Sequence, residues 1–162
     1  MDMLVPLYSF TKDRKCTRRI VDQGITIRRP MSYEREKVIE WIRLTFSDDG
    51  PNWASESGAA VARVPADCHI ATRDGQLLGF ACFDATAKGV FGPTGTTPDA
   101  RGRGIGAALL QASLAAMREA GYAYAVIGGA SDEVKGFYQK SVGASEIAGS
   151  EPGMYQDSLD PL

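Results

Sequence analysis

Glycine and arginine alternate at residues 101–106, which read R-G-R-G-I-G and precede a run of apolar residues at helical spacing. Glycines at these positions leave out side chains where a ligand has to approach the backbone. The free N–H groups and the positive dipole end of the following helix attract an anion. The two arginines add charged hydrogen-bond donors. The segment therefore predicts a phosphate-binding loop, with a simple glycine turn into a helix as the alternative.

Two other phosphate-binding motifs fit this segment less well. Gly102-x-Gly104-x-x-Ala107 satisfies the dinucleotide fingerprint, which needs an acidic residue about 20 residues further on to hold a ribose. Residues 122–129 contain no acid, and too little chain is left for the other strands of a dinucleotide-binding sheet. A P-loop requires Gly-Lys-Ser/Thr, which does not follow. A nucleotide-binding oxidoreductase is therefore the weakest hypothesis.

Hydrophobic spacing predicts the elements that position this loop: a strand leads into it and an amphipathic helix leaves it. Upstream, Asp74-Gly75 between two apolar runs predicts a hairpin. The predicted order is strand 25–29, helices 32–46 and 53–64, strands 69–72, 77–84 and 89–97, helix 104–120, strand 122–127, helix 132–142, and weaker strands at 144–148 and 154–156.

This order fits an α/β (α+β) fold whose mixed, mostly antiparallel central sheet carries helices on both faces. The chain has 162 residues, of which 44% are hydrophobic, so it can bury one core and a second domain would be cramped. We expect a single domain over residues 24–162. In residues 1–23, the basic run at residues 12–19 predicts a solvated arm. The alternative is a short strand around residues 4–8 that pairs onto the edge of the sheet.

Composition excludes several classes of function. The net charge of −2 argues against nucleic-acid binding, which usually needs a basic face. Three cysteines without CxxC spacing favour a reducing cytoplasm over a disulfide framework. His69 is the one histidine and is expected to be structural, and no cluster with metal-ligand spacing appears. No stretch has the apolar length of a membrane span or the pattern of a signal peptide.

Two segments together resemble the GNAT superfamily of N-acetyltransferases. R-G-R-G-I-G resembles its acetyl-CoA signature Q/R-x-x-G-x-G/A, with the usual proline before it and a Leu-Leu helix after it. Residues 136–144, G-F-Y-Q-K-S-V-G-A, resemble its second signature, F/L-Y-x-K-x-G-F. One strand separates the two signatures, as in the family. The resemblance covers roughly residues 25–155. Within the superfamily, the chain is similar to a bacterial subgroup of unknown substrate.

The resemblance implies an acetyl-CoA-dependent N-acetyltransferase in which a primary amine attacks the thioester directly. The acceptor would be a small molecule or a protein amine, with no nucleic acid, membrane or metal involved. The resemblance is also compatible with a homodimer, because dimers are common in the family, but the sequence does not give the oligomeric state. The alternative function is a non-catalytic acyl-CoA-binding module of the same fold.

The resemblance also implies roles for single residues. Tyr138 would protonate the leaving thiolate, with a core aromatic as the alternative. Many relatives carry a glutamate on the strand before the loop, and this chain has none there. Glu56 and Asp84 are the substitutes considered for the base, each with a solvated surface carboxylate as the alternative. Backbone N–H groups near Gly95 and Thr96 would polarise the acetyl carbonyl. The implied acetyl-CoA contacts are Thr94, Gly95 and Thr96 on the strand, and Arg101, Gly102, Arg103, Gly104, Ile105, Gly106 and Ala107 in the loop.

Overall fold

The computed structural model describes residues 1–153 and residue 159, so the strand predicted at residues 154–156 lies outside the described chain. Within that part, seven strands and five α-helices follow one another. They are β1 (Met3–Pro6), α1 (Arg14–Asp22), β2 (Thr26–Arg28), α2 (Arg35–Thr45), α3 (Trp53–Val61), β3 (Cys68–Arg73), β4 (Gln76–Phe83), β5 (Val90–Thr96), α4 (Ile105–Glu119), β6 (Tyr124–Ile127), α5 (Asp132–Val142) and β7 (Ser145–Glu146).

The strands form one sheet in the order β2-β3-β4-β5-β6-β1-β7. Only β5 and β6 pair in parallel; the other neighbouring strands of the described sheet are antiparallel. One hydrophobic cluster joins the sheet to α1, α4 and α5, and a second joins it to α2 and α3. The predicted mixed, mostly antiparallel sheet with helices on both faces is therefore confirmed.

The parallel pair β5 and β6 is short. Their register contains two pairs, Val90 with Val126 and Phe91 with Ile127. Beyond Phe91, β5 continues to Thr96 along β4 alone. One edge of β5 therefore faces an opening in the middle of the sheet, and this opening leads towards the glycine-arginine loop.

The N-terminal strand is part of the sheet interior. β1 pairs with β6 on one side and with β7 on the other. Met3, Val5 and Leu7 alternate towards the core and are at most 1% exposed. Such period-two alternation is what a strand with one buried face requires. The strand predicted around residues 4–8 is therefore present at Met3–Pro6, but it lies between two other strands and not at the sheet edge, and the expectation of a solvated arm is wrong for this segment.

The basic run forms helix α1. The carboxylate of Asp13 accepts a hydrogen bond from the N–H of Lys15 at 2.9 Å and caps the helix. Ile20 is 3% exposed and belongs to the same hydrophobic cluster as α4. The arginines and lysines of the run do face water, but the helix that carries them is packed against the domain.

Glycine determines how closely α4 approaches the sheet. A Cβ atom added to Gly79 on β4 would lie 3.0 Å from Leu109 Cδ1 and 3.2 Å from Ile105 Cγ2. The missing side chain lets the first two turns of α4 lie directly on β4, which places the loop before α4 at the opening.

The hairpin between β3 and β4 is as predicted: Asp74 and Gly75 have φ angles of 52° and 74°, as a type I′ turn needs.

Candidate active site

A cavity of about 1100 Å³ occupies the opening between β5 and β6. β5 forms one wall along its whole length, and the end of β6 with the following residues up to Ser131 forms another. The loop before α4, the first turns of α5, helix α3 and the N-terminal residues close the remaining sides. The side chains that carry polar groups or aromatic rings into it include Asp2, Asp49, Trp53, Glu56, Arg101, Glu133, Phe137 and Tyr138.

The glycine-arginine loop has the backbone that an anion site needs. Gly102 and Gly104 have φ angles of 76° and 85°, in the left-handed region that favours glycine. Gly104 is the N-cap of α4 and has no side chain to cap the helix. The first turn of α4 contains no acidic residue. The positive end of the α4 dipole is thus left for a ligand.

The structure brings only part of the predicted loop set to the cavity wall. Arg101 and Gly106 line the cavity. The Ile105 side chain is 1% exposed and belongs to the core, so it can contribute only through its backbone. Arg101 donates from Nε to the Thr96 carbonyl oxygen at 3.3 Å. Gly102, Arg103, Gly104 and Ala107 lie beside the cavity in the loop and first turn rather than on its wall.

Alternation along β5 decides which N–H groups face the opening. The N–H of Thr97 donates to the Leu78 carbonyl oxygen on the β4 side at 2.9 Å. Successive N–H groups of a strand point in opposite directions, so those of Thr96 and Thr94 face the opening and that of Gly95 faces β4. The expectation for Gly95 as a donor to the acetyl carbonyl is therefore wrong. Gly95 instead leaves room for the ring of Phe46, which a Cβ atom would approach to 2.7 Å.

Tyr138 lies on α5 with its side chain 8% exposed at the cavity wall. Its ring packs edge-on against Phe91 and Phe137, with centroids 6.5 and 5.2 Å away. Burial raises the pKa of its hydroxyl. The phenol is therefore neutral at pH 7 and has a proton to donate.

Glu56 lies on α3 and lines the cavity beside Trp53. Burial raises the pKa of its carboxyl group above the ordinary value of 4.5, while a hydrogen bond with Thr86 acts in the opposite direction. A carboxylate with a raised pKa is a stronger base than one in water. The predicted base candidate Glu56 and the predicted acid candidate Tyr138 thus lie on the same cavity.

Asp84, the other base candidate, is not on the cavity wall. It is 7% exposed and has a φ angle of 53° at the end of β4. Its carboxylate accepts hydrogen bonds from the Gly89 N–H at 2.7 Å and from the Tyr122 hydroxyl at 2.8 Å, and Lys88 Nζ lies 3.3 Å away. These contacts fix the turn between β4 and β5. Burial, and after it the hydrogen bond to Asp84, raises the pKa of Tyr122 to about 12.

His69 is in the core, as expected from the sequence. It is 8% exposed, and its Nδ1 lies 3.1 Å from the Ser113 hydroxyl on α4. Burial lowers its pKa to about 4, so the ring is neutral at physiological pH. The described residues contain no group of three potential metal ligands, and the expectation of a metal-free protein stays a prediction.

Sequence reasoning missed Asp2 and Glu133, which also line the cavity. The N–H of Gly129, after β6, donates to the Asp2 carboxylate at 2.9 Å. Asp2 reaches the site because β1 lies next to β6, a long-range pairing that local patterns do not reveal. Glu133 could have been found, since it lies in the first turn of the helix that carries Tyr138.

Residues 35–144 match the family model described as the acetyltransferase (GNAT) family. This is more than half of the chain, and the chain therefore belongs to the GNAT family. No curated protein sequence matches it significantly.

Solved structures with the same fold include a GNAT family acetyltransferase from Brucella melitensis in complex with acetyl-CoA, at 24% identity and a TM-score of 0.54, covering 70% of this chain and 80% of that one. The GNAT protein of Sphaerobacter thermophilus has 19% identity and a TM-score of 0.63, covering 89% and 47%. A glucosamine N-acetyltransferase region of a fungal multi-domain β-N-acetylglucosaminidase has 17% identity and a TM-score of 0.69, covering 89% and 19%.

These similarities establish the fold. The chain spans only about a fifth of the fungal protein and less than half of the Sphaerobacter protein, so their full activities do not transfer with it. No helix of the described chain combines the length and apolar character that crossing a membrane requires.

Proposed function

We propose that this domain transfers an acetyl group from acetyl-CoA to a primary amine. The observation that carries the proposal is one cavity that connects a helix N-terminus, an unpaired strand edge, a neutral phenol and a carboxylate of raised pKa. Each group supplies something that acetyl transfer requires: a site for the pyrophosphate, a site for the pantetheine arm of acetyl-CoA, an acid and a base.

Acetyl-CoA would bind along the opening. Its pyrophosphate would lie on the loop at residues 101–106, against the N–H groups and positive end of α4. Its pantetheine arm would lie along the free edge of β5 and accept or donate through the main chain of Thr94 and Thr96, as an added strand does. The acetyl group would then reach the part of the cavity between α3 and α5.

The chemistry would be a direct displacement. The amine nitrogen attacks the thioester carbonyl carbon, a C–N bond forms, and the C–S bond breaks. Glu56 takes the proton that the amine loses, directly or through water, and Tyr138 gives a proton to the departing thiolate. The N–H of Thr96 faces the opening, where it is suited to stabilise the oxyanion that forms transiently on the carbonyl oxygen.

The charge of the cavity wall favours a cationic acceptor. Asp2, Glu56 and Glu133 line the cavity, and carboxylates attract an ammonium group before it loses its proton. Two structures of the same fold support testing amino sugars first: the fungal glucosamine N-acetyltransferase region, and a soil metagenomic aminoglycoside acetyltransferase in complex with sisomicin, at 14% identity and a TM-score of 0.58. A protein amine, a cytoplasmic location and a homodimer stay part of the proposal.

Tyr138→Phe tests the acid role. It removes one hydroxyl group and keeps the ring against Phe91 and Phe137. We expect kcat to fall roughly 100-fold, the usual worth of general acid catalysis, with little change in the Kd for acetyl-CoA. Release of free thiol is measured with glucosamine, sisomicin and simple alkylamines as acceptors. An unchanged kcat would contradict the acid role.

The alternative function is a non-catalytic acyl-CoA-binding module. It is favoured by one observation: β5 carries no glutamate, and Asp84 does not line the cavity, which leaves Glu56 as the base candidate from the sequence. Wild-type protein that binds acetyl-CoA but releases no thiol with any amine of the panel would support this alternative.

A further inference from the structure

Helix α1 holds the outer side of the glycine-arginine loop. Arg19 donates from Nη2 to the Gly102 carbonyl oxygen at 2.6 Å. Gln23, just after the helix, donates from Nε2 to the Arg103 carbonyl oxygen at 2.9 Å. The Arg19 side chain also lies across Gly104, where an added Cβ atom would be 3.2 Å from Nη1 and 3.3 Å from Cδ. Two successive loop carbonyls therefore point at α1.

The start and the middle of α1 are fixed to the domain, and the Gln23 side chain is fixed to the helix, so these two donors are held in place. At its start, the N–H of Asp13 donates to Gln111 Oε1 at 2.7 Å, and Gln111 is a buried residue of α4. Ile20 anchors the middle in the core. At its end, Gln23 Nε2 also donates to the Arg19 carbonyl oxygen at 2.8 Å. The helix and the loop that precedes α4 are thus clamped to the same element.

The contacts of Arg19 and Gln23 with the loop carbonyls also fix the direction of the loop N–H groups, because the peptide bond is planar and trans. The carbonyl of one residue and the N–H of the next point in opposite directions across a trans peptide bond. When the carbonyls of Gly102 and Arg103 face α1, the N–H groups of Arg103 and Gly104 face away from it. Within residues 1–153 and 159, neither N–H has a protein acceptor. Two backbone donors are left for a ligand.

We propose that Arg19 and Gln23 are positioning residues for the pyrophosphate of acetyl-CoA, acting through the loop carbonyls of Gly102 and Arg103. This inference rests on the proposed function. It gives a role to the N-terminal helix, which lies outside the residues that match the family model. Pre-set donors bind an anion more tightly because the loop loses less freedom on binding.

Gln23 is neutral, so it distinguishes an effect on the loop conformation from an electrostatic attraction of the anion. Arg19 adds a positive charge near the loop, and any arginine of α1 does so to some degree. Gln23 carries no charge, so it can assist an anion only through the loop conformation. Arg18 offers the matched control: it is the neighbour of Arg19, exposed, with the same charge and no contact with the loop among the described residues.

The experiment compares Gln23→Leu, Arg19→Met and Arg18→Met with wild type. Calorimetry gives the Kd for acetyl-CoA, and ligand-observed NMR gives the Kd for S-acetylpantetheine, which lacks the pyrophosphate. We expect Gln23→Leu and Arg19→Met to weaken acetyl-CoA binding roughly threefold to tenfold, the worth of one hydrogen bond. Arg18→Met should change it less than about twofold, as for a solvent-screened charge. S-acetylpantetheine binding should be unchanged in all of them.

Each other result overturns the inference in its own way. If wild type binds acetyl-CoA and Gln23→Leu and Arg19→Met bind it equally well, the loop does not need α1. If Arg18→Met and Arg19→Met are equally weakened and Gln23→Leu is not, the effect is one of charge. If both ligands are weakened alike, the helix serves only general stability. If wild type does not bind acetyl-CoA, the proposed function fails and this role fails with it.

Discussion

Burial acts on two cavity residues in the same direction and gives them opposite uses. It raises the pKa of both Tyr138 and Glu56, because the charged form of an acid loses solvation in a protein interior. For the phenol this keeps a proton available at pH 7. For the carboxyl group it makes a stronger base than a surface glutamate. A single physical cause therefore supports both the acid and the base of the proposed reaction.

Glu56→Gln tests the base. We expect kcat to fall roughly 100-fold at pH 7, measured as thiol release with the best amine. In wild type, kcat/KM should rise with pH as Glu56 loses its proton, above the ordinary carboxyl pKa of 4.5. The variant should lose this rise. Glu36→Gln, on an exposed side chain of α2, is the control and should behave as wild type.

The same substitution should stabilise the fold. The folded-state pKa of Glu56 lies above its unfolded value, so ionisation costs stability: the cost is absent below the unfolded pKa and complete above the folded pKa. Glu56→Gln should therefore raise the Tm at pH 7, and the gain should shrink as the pH falls to about 4. A lower Tm at pH 7 would contradict the conclusion that ionisation of Glu56 opposes folding.

Whole elements of this domain are positioned by a few polar side chains and glycines. The start of α4 lies on β4 because Gly79 has no side chain. The turn into β5 is fixed by the buried Asp84 carboxylate with Gly89 and Tyr122. Both contacts determine where the edge of β5 meets the loop. Asp84 therefore acts on the turn, and its effect on catalysis should pass through stability.

Asp84→Asn and Tyr122→Phe separate a structural role from a catalytic one. Asparagine tolerates the positive φ angle of Asp84 but carries no charge. We expect each variant to lose roughly 1–2 kcal/mol of unfolding free energy, because a buried hydrogen bond to a charged group is weakened. The Tm should fall by about 2–4 °C per kcal/mol. The Kd for acetyl-CoA and kcat below the Tm should stay within twofold of wild type.

If Asp84→Asn abolished thiol release while its Tm and acetyl-CoA affinity stayed at the wild-type values, Asp84 would be the base after all. Tyr122→Phe provides the matched comparison, because it disturbs the same turn without changing the carboxylate itself.

Local patterns predicted the middle of the chain well. Asp74-Gly75, Gly121 and Gly143 each end or turn an element through their own backbone preferences, and the helix after the loop has one continuous apolar face. These signals need only neighbouring residues. The loop at residues 101–106 is predictable for the same reason, because its spacing, its glycine content and the following helix are all local features.

Long-range placement could not be predicted in this way. β1 is four residues long, and its partners, β6 and β7, lie more than 100 residues away in the chain. The basic residues of α1 suggested solvent, and its single well-buried side chain, Ile20, gave little periodic signal. The direction of the Gly95 N–H depends on the register with β4. Each of these features is decided by pairing between distant segments, which no local pattern contains.

Across the whole molecule, the proposed activity depends on acetyl-CoA binding in the opening between β5 and β6. Gly106 offers the sharpest test. It lies in the first turn of α4, and an added Cβ atom would be 3.8 Å from Phe137 Cζ and from Thr96 Oγ1, an ordinary contact. Gly104 is less suitable, because its φ angle of 85° would strain any side chain.

The measurement is calorimetric titration of acetyl-CoA into wild type, Gly106→Asn and Gly106→Asp. The two side chains are nearly equal in size, and an aspartate near a helix N-terminus does not harm the fold. The account predicts binding to wild type, a modest loss for Gly106→Asn, and a further loss of at least about tenfold for Gly106→Asp, because its charge repels the pyrophosphate. No binding to wild type, or equal affinities for the two variants, would contradict it.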